Sequence, residues 1–273
     1  MVSCPHMQIS RTHWIGALIS LVAVLAAAGI WYAVVRPQLP PAPSVSPGAA
    51  TSSAPALEQA TTSAPVAASP VGPFPINAAD AAVSWTFKGP YAGNDTLTTQ
   101  ANSDIAKLNA LIGNAQYDNY NLYNGIANDY GSLGDGKTAY QYYDRAIRIH
   151  PDQGLAYMNL GHLFDEMGAY QSAADAYAKA VAVEPSVLQF HTARLTYLTQ
   201  RLPKDTTLVE AALADASKQF GDTPSVLAIE AQWLAGEGRY ADAIKAWQTV
   251  KTLSPGTDTS SIDAEIARLQ AKQ

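Results

Sequence analysis

Residues 157–185 read YMNLGHLFDEMGAYQSAADAYAKAVAVEP. This stretch decides the fold because its pattern of aromatic, small and proline residues also occurs 34 residues earlier in the chain. The earlier positions are Tyr123, Ala127, Tyr130, Gly134, Ala139, Tyr143, Ala146 and Pro151, and they recur as Tyr157, Gly161, Phe164, Gly168, Ala173, Tyr177, Ala180 and Pro185. A fixed step of this length indicates stacked helix–turn–helix units, each of which covers the apolar face of the next.

Each position of the repeat has a physical role. Tyr123, Ile126 and Tyr130 are three or four residues apart, so they share one face of a first helix. Gly134 is expected to end that helix in the left-handed conformation that glycine adopts at little cost. Pro151 follows the second helix, which a proline cannot continue. The pattern therefore predicts pairs of helices joined by short turns, in an all-α solenoid.

Four repeats and a closing helix account for the C-terminal half of the chain. The predicted bounds are 120–153, 154–187, a degenerate 188–223, 224–257, and a capping helix over 258–273. The third repeat lacks the signature residues and is placed by length and periodicity. Asp205 or Thr207 is expected to cap its second helix, and Thr223 followed by Pro224 predicts the start of the next one. Glu230 departs from the pattern, because an apolar residue is expected there.

The spacing and residues resemble the tetratricopeptide repeat. This resemblance implies a right-handed superhelix whose first helices line a concave groove for extended peptides. The last repeat is also similar to repeat domains of bacterial cytochrome c biogenesis factors, which recruit apocytochrome. The residues that carry this second likeness are Gly238, Tyr240, Ala243, Ile244, Trp247 and Pro255.

The family resemblance assigns a candidate peptide-binding groove to the first helices of repeats one and two. The matching residues are Asn121, Asn124, Asn128, Met158, Asn159, His162 and Glu166. Asparagine offers both donors and acceptors, which suits a peptide backbone. Some family members clamp a C-terminal carboxylate with asparagines and basic residues. Asn128 and Asn159 stand at the asparagine positions, but the lysine expected near Asn124 is absent. The alternative is that these residues only keep the face soluble.

The N-terminal third has a different composition. Residues 1–13 form a short tail, and residues 14–35 form an uncharged, mostly apolar run that is long enough to span a bilayer. We expect a single uncleaved membrane anchor, although a signal peptide cleaved near residues 26–28 is the alternative. Arg11 and Arg36 flank the run almost evenly, and the N-terminal histidines tilt the expectation towards repeats outside the cytoplasm. Residues 36–76, rich in Pro, Ala and Ser, are expected to be a disordered linker.

Residues 77–119 are expected to form an extended arm followed by a capping helix. Val83, Trp85 and Phe87 alternate with polar residues, which indicates an extended segment. A helical face follows, made of Leu97, Ala101, Ile105, Leu108 and Ile112, with Gly113 at its end. Two roles are open for the arm: it occupies a groove, its own or a neighbour's, or it caps the first repeat.

The charge of the chain and the motifs it lacks argue against several classes of function. From Asn77 onward the chain has 15 Lys and Arg against 22 Asp and Glu, a net charge of −7, which argues against nucleic acid as a partner. His162 and Glu166 have the spacing of two zinc ligands, but no third is visible nearby, so we expect no metal site. No nucleotide-binding or nucleophile motif is present, so we expect no cofactor and no enzyme activity. The sequence predicts a membrane-tethered scaffold for a protein or peptide partner, with chaperone-like peptide capture as the alternative.

Overall fold

The structure is a computed structural model that describes residues 73–273. The expected tail, the membrane anchor over residues 14–35 and most of the expected linker lie outside these residues. None of the helices within residues 73–273 combines the length and the apolar character that a membrane span requires.

Ten α-helices make up the described part of the chain. Their bounds are α1 Asp95–Leu111, α2 Asn119–Leu133, α3 Gly136–Ile149, α4 Gly154–Glu166, α5 Tyr170–Val183, α6 Leu188–Arg201, α7 Thr206–Phe220, α8 Pro224–Gly236, α9 Tyr240–Leu253 and α10 Ser260–Gln270. Helices α2 to α9 form four consecutive pairs. The first helices of the pairs, α2, α4, α6 and α8, lie beside one another along the solenoid.

The repeat residues build the interior, as the sequence predicts. Tyr157 and Tyr177 each leave 2% of their surface exposed, and both belong to one hydrophobic core that runs through the pairs. Gly161 has to be small, because a Cβ there would lie 3.0 Å from the ring of Tyr177. Gly134 ends α2 at a φ of 87°, so the left-handed turn is confirmed.

The degenerate third repeat keeps the register of the others. His191 takes the place of Tyr157, and its Nε2 lies 3.0 Å from the carbonyl oxygen of Pro185, just as the Tyr157 hydroxyl donates to Pro151. Asp205 caps α7 by accepting from the backbone N–H of Leu208. At the start of α8 Thr223 is the N-cap residue and Pro224 opens the helix, as the sequence predicts, although the Thr223 side chain makes no capping hydrogen bond.

The N-terminal arm, residues 73–93, packs along the second helices of repeats one and two. Val83, Trp85 and Phe87 are half-buried and alternate with exposed residues, which confirms the extended segment. The arm begins earlier than the sequence boundary at residue 77, because Phe74 packs edge-on against Tyr157, with 5.8 Å between ring centroids. Phe74 is the only aromatic residue of the expected linker, and its ring gives this segment a large apolar surface to bury.

Hydrogen bonds hold the arm to both repeats. The backbone N–H of Gly136, at the start of α3, donates to the carbonyl of Trp85 at 2.9 Å. Asp80 accepts from the backbone N–H and the hydroxyl of Ser172, in the first turn of α5, at 2.6 and 2.8 Å. Helix α1 follows the arm and packs on α2, with Ala101 and Ile105 buried. Leu97 was expected on the same buried face but is 39% exposed.

Candidate functional site

The candidate site is the polar surface of the first helices, which we call the first-helix face. It comprises Asn121, Asn128 and Ser132 of α2, His162 and Glu166 of α4, Thr196 and Gln200 of α6, and Gln232 of α8. Its central row runs through Asn128, His162, Thr196 and Gln232, at steps of 34, 34 and 36 residues. Successive pairs therefore present the same helix position to the same side, which is how a solenoid builds an elongated binding surface.

The structure divides the seven residues of the predicted groove. Asn121, His162 and Glu166 are exposed, and Asn128 is half-buried. Asn124, Met158 and Asn159 are buried, with 2%, 5% and 7% of their surface exposed. The structure therefore places these last three beneath the first-helix face and does not present them to solvent. The Nδ2 of Asn124 donates to the carbonyl of Tyr120, one turn earlier, at 2.9 Å.

Tyrosines of the second helices contact two side chains of the central row from the interior side. The hydroxyl of Tyr143, on α3, donates to Oδ1 of Asn128. One repeat later, the ring of Tyr177, on α5, meets the imidazole of His162 edge-on at 5.5 Å. Burial raises the pKa of Tyr143 well above its usual value, so its hydroxyl stays protonated and remains a donor. The same repeat position thus fixes the orientation of two polar side chains on the first-helix face.

Two asparagines of this region keep an unused donor. Among residues 73–273, the Nδ2 atoms of Asn128 and Asn159 donate no hydrogen bond, and both atoms are shielded from solvent. A buried polar group without a partner costs roughly 1–3 kcal/mol. Such groups in native structures call for an explanation. For the half-buried Asn128 a peptide carbonyl on the face would be a suitable acceptor, whereas Asn159 is buried beneath the surface.

Glu166 and His162 lie one turn apart on α4 and face the same side. Burial raises the pKa of Glu166 to about 7, and the negative charge of Asp165 adds to this shift. Burial lowers the pKa of His162, while Asp165 opposes that change. Both residues are exposed, so water screens much of each effect. At neutral pH the imidazole is uncharged.

Other charged and titratable groups surround this pair. They are Asp165 on α4, Asp129 on α2, Tyr143 on α3, Tyr177 on α5 and Arg201 on α6. Arg201 is held by Asp165, with 2.8 Å between Nε and Oδ1. Within the described residues, no three side chains of the metal-ligating types come together.

A recess of about 410 Å³ extends the first-helix face between α6 and α8. Thr196, Gln200 and Gln232 line it, together with Ile229 and the Lys204–Glu237 ion pair, whose atoms are 2.9 Å apart. The predicted groove stopped at repeat two, so Thr196, Gln200 and Gln232 are residues that the sequence prediction missed. Continuing the repeat step from His162 through the degenerate repeat would have found them.

The arm meets this surface at Ser132, whose carbonyl accepts from the backbone N–H of Tyr91 at 3.1 Å. Its other hydrogen bonds and ring contacts with the repeats involve α3, α5, the α2–α3 turn and the rings of Tyr157 and Phe164. The sequence left open whether the arm occupies a groove or caps the first repeat. In the structure the arm lies along the second helices α3 and α5, and any groove it occupies is on that side. There it also joins repeat one to repeat two.

Comparison with known proteins agrees with this architecture. Residues 155–187 match the family model described as tetratricopeptide repeat. The comparison with curated proteins finds no match. Among solved structures, the C-terminal part of a tetratricopeptide repeat-containing protein from Cytophaga hutchinsonii is 18% identical, with 66% of this chain and 69% of that chain covered and a TM-score of 0.51.

Two further structures are similar at lower scores. A tetratricopeptide repeat protein from Parabacteroides merdae is 16% identical, covers 67% of this chain and 73% of its own, and has a TM-score of 0.47. A thermophilic tetratricopeptide repeat protein of Thermus thermophilus is 16% identical, covers 64% and 96%, and has a TM-score of 0.44. At these identities the likeness concerns the fold alone. The described chain is an all-helical solenoid of tetratricopeptide type, a fold suited to holding protein partners.

Proposed function

We propose that this protein is a scaffold that binds an extended segment of a partner protein across the first-helix face. The observation that carries the proposal is the continuous row of uncharged polar side chains on four successive first helices, from Asn128 to Gln232. Amide, imidazole and hydroxyl groups can pair with a peptide backbone without demanding one sequence. The unused donor of the half-buried Asn128 adds a position where a carbonyl would be stabilised.

Site-specific crosslinking in cells tests this proposal. A photoreactive amino acid replaces Thr196 or Gln232 on the first-helix face of the full chain, and Thr252, exposed on the second-helix side of α9, serves as the matched control. We expect protein adducts from both face positions and none from the control. Adducts that form equally from Thr252, or only from residues of the arm, would place the partner elsewhere and contradict the proposal.

A second measurement asks whether the row acts as a unit. Gln232→Glu and His162→Arg each add a charge to an exposed position of the face without removing a core side chain. Each is expected to reduce the adduct from Thr196 while the far-ultraviolet circular dichroism stays helical. Alanine at Asn124 or Asn159 is a poorer choice, because both are buried and their loss affects folding as well.

We also propose that residues 14–35 tether the scaffold to a membrane with the helical part outside the cytoplasm. The support is the length and uncharged character of that run in the sequence. A protease-sensitive tag after Gln273 tests it. Cleavage in intact spheroplasts together with retention of the chain in the membrane fraction is the expected result, and release into the soluble fraction would contradict it.

Chaperone-like capture of an unfolded chain, such as an apocytochrome, is the alternative form of the same binding role. The likeness to cytochrome c biogenesis factors includes Ala243 and Trp247, which are buried between helices α8 to α10. Residues that pack helices together support the fold and do not favour that partner. Crosslinked partners that are folded proteins favour the scaffold, whereas nascent or exported unfolded chains favour the chaperone-like role.

A further inference from the structure

Glu166 is distinctive among the residues of the first-helix face, because it alone carries a carboxylate. The remaining members offer amides, hydroxyls and the imidazole of His162, whose lowered pKa keeps it uncharged at neutral pH. Within residues 73–273 the Glu166 carboxylate has neither a hydrogen bond nor an ion pair. Arg201, on the neighbouring first helix α6, is already paired with Asp165.

The surroundings make an ionised Glu166 unfavourable. Glu166 lies one turn after His162 on α4, and the ring of Tyr177 packs edge-on against that imidazole, with 5.5 Å between ring centroids. Burial and Asp165 raise the pKa of the Glu166 carboxylate to about 7. A positive charge brought beside it from outside would relieve the repulsion and satisfy the carboxylate. The net charge of −7 from Asn77 onward attracts such a partner over a longer range.

We propose that the partner segment bound on the first-helix face carries a lysine or arginine that pairs with Glu166, and that its neighbouring residues are uncharged. This inference depends on the proposed function, since it identifies the chemistry of the segment that the same face holds. An acidic segment is disfavoured, because it would bring like charge beside Glu166 and Asp165. The residues flanking Glu166 along the face call for hydrogen-bonding, uncharged neighbours in the ligand.

A displayed library of random 12-residue peptides, panned on the full chain in detergent micelles, provides the probe. The strongest selected peptide is synthesised with a fluorescent label, and its affinity is measured by fluorescence polarisation. We expect the selected peptides to be enriched in lysine or arginine at one position. Replacing that residue by glutamine should weaken binding roughly three- to tenfold, the range of a partly exposed ion pair.

The protein variants complete the test as a double-mutant cycle. Glu166→Gln should weaken the cationic peptide by the same factor and leave the glutamine peptide unchanged. Asp222→Asn, an exposed acid in the turn between α7 and α8, is the matched control and should change neither affinity. The difference between the two peptides should also shrink as the salt concentration rises.

Two failures are distinguishable. Selected peptides that lose affinity with Gln232→Glu and His162→Arg, but show no preference for a cation and no response to Glu166→Gln, would overturn the inference and leave the proposed function standing. Peptides whose binding ignores every substitution on the first-helix face would overturn the proposed function, and the inference with it.

Discussion

Loss of the Asp80 carboxylate should destabilise the protein, because it removes the cap of helix α5 at Ser172, 92 residues away in sequence. In repeat one, Asp135 caps α3 locally by accepting from the backbone N–H and the hydroxyl of Thr138. The corresponding position of repeat two is Ala169, which makes no side-chain capping bond. Asp80 from the arm supplies the same two hydrogen bonds to Ser172. The arm thus provides the cap that the local sequence lacks.

The magnitude follows from burial. Ser172 is fully buried and Asp80 is 9% exposed, so water cannot easily replace the lost acceptor. Hydrogen bonds to a charged group contribute about 1.5–3 kcal/mol, and a helix cap typically about 1 kcal/mol. Because the two bonds share one oxygen, we expect Asp80→Ala to lower the free energy of unfolding by about 2–4 kcal/mol. Urea titration of the full chain, followed by far-ultraviolet circular dichroism, measures this.

A compensating substitution makes the test specific. Ala169→Asp places a capping carboxylate at the local position. Asp80 and Ala169 line one cavity of about 220 Å³, so Asp80→Ala leaves room there for the new side chain. It should recover about 1 kcal/mol or more in the Asp80→Ala background. In the wild-type background it should destabilise, because two carboxylates would then compete for Ser172. Asp222→Ala serves as the control and should change stability by less than about 0.5 kcal/mol. A cost for Asp80→Ala no larger than that of the control would refute the reasoning.

Three further predictions concern single positions. Gly134→Ala should lower the free energy of unfolding, measured by urea titration, by at least about 2 kcal/mol, because the residue has a positive φ and a Cβ would lie 2.2 Å from the carbonyl oxygen of Phe87. Gly168→Ala, at a φ of 77° with no atom near the new Cβ, should lower it by only about 1–2 kcal/mol. Equal costs would contradict the steric part of the argument. Glu166→Gln should raise the melting temperature at pH 8 more than at pH 5. The folded chain holds the Glu166 proton more tightly than the unfolded chain, so the wild-type protein loses stability as pH rises towards 7. A larger gain in melting temperature at pH 5 would contradict this direction of the pKa shift. Phe74→Ala should speed amide exchange of the arm while leaving exchange in α8 unchanged, because the Phe74 ring packs against Tyr157 and Phe164 of α4. Equal acceleration in the arm and in α8 would contradict a local anchor.

Local patterns were enough to predict most of the solenoid. The step of 34 residues identifies the buried rings of Tyr157 and Tyr177, and a helix-ending glycine such as Gly134 is recognisable because few other residues adopt its conformation. Length and periodicity place the third repeat without its signature residues, and α6 and α7 lie in that segment, since neighbouring pairs bury its apolar face. Contact between repeats can thus hold a unit whose own signature residues have been lost.

Contacts between distant segments could not be predicted in the same way. The alternation of Val83, Trp85 and Phe87 indicates an extended segment, but nothing near Asp80 identifies Ser172 as its partner. The burial of Asn124 and Asn159 depends on how closely two first helices approach, which the residue types do not reveal. Glu230 shows the same limit, because the helices accommodate it half-buried and its pKa rises as a result.

The attachment of the arm also decides how a mechanical load enters the molecule. Any pull on the chain before Pro73 reaches the bonds at Phe74, Asn77 and Asp80 before it reaches α1, because those residues come first along the chain. Hydrogen bonds and ring contacts loaded together resist tension as a group. The arm therefore passes tension from the N-terminal side to helices of repeats one and two before it reaches α1.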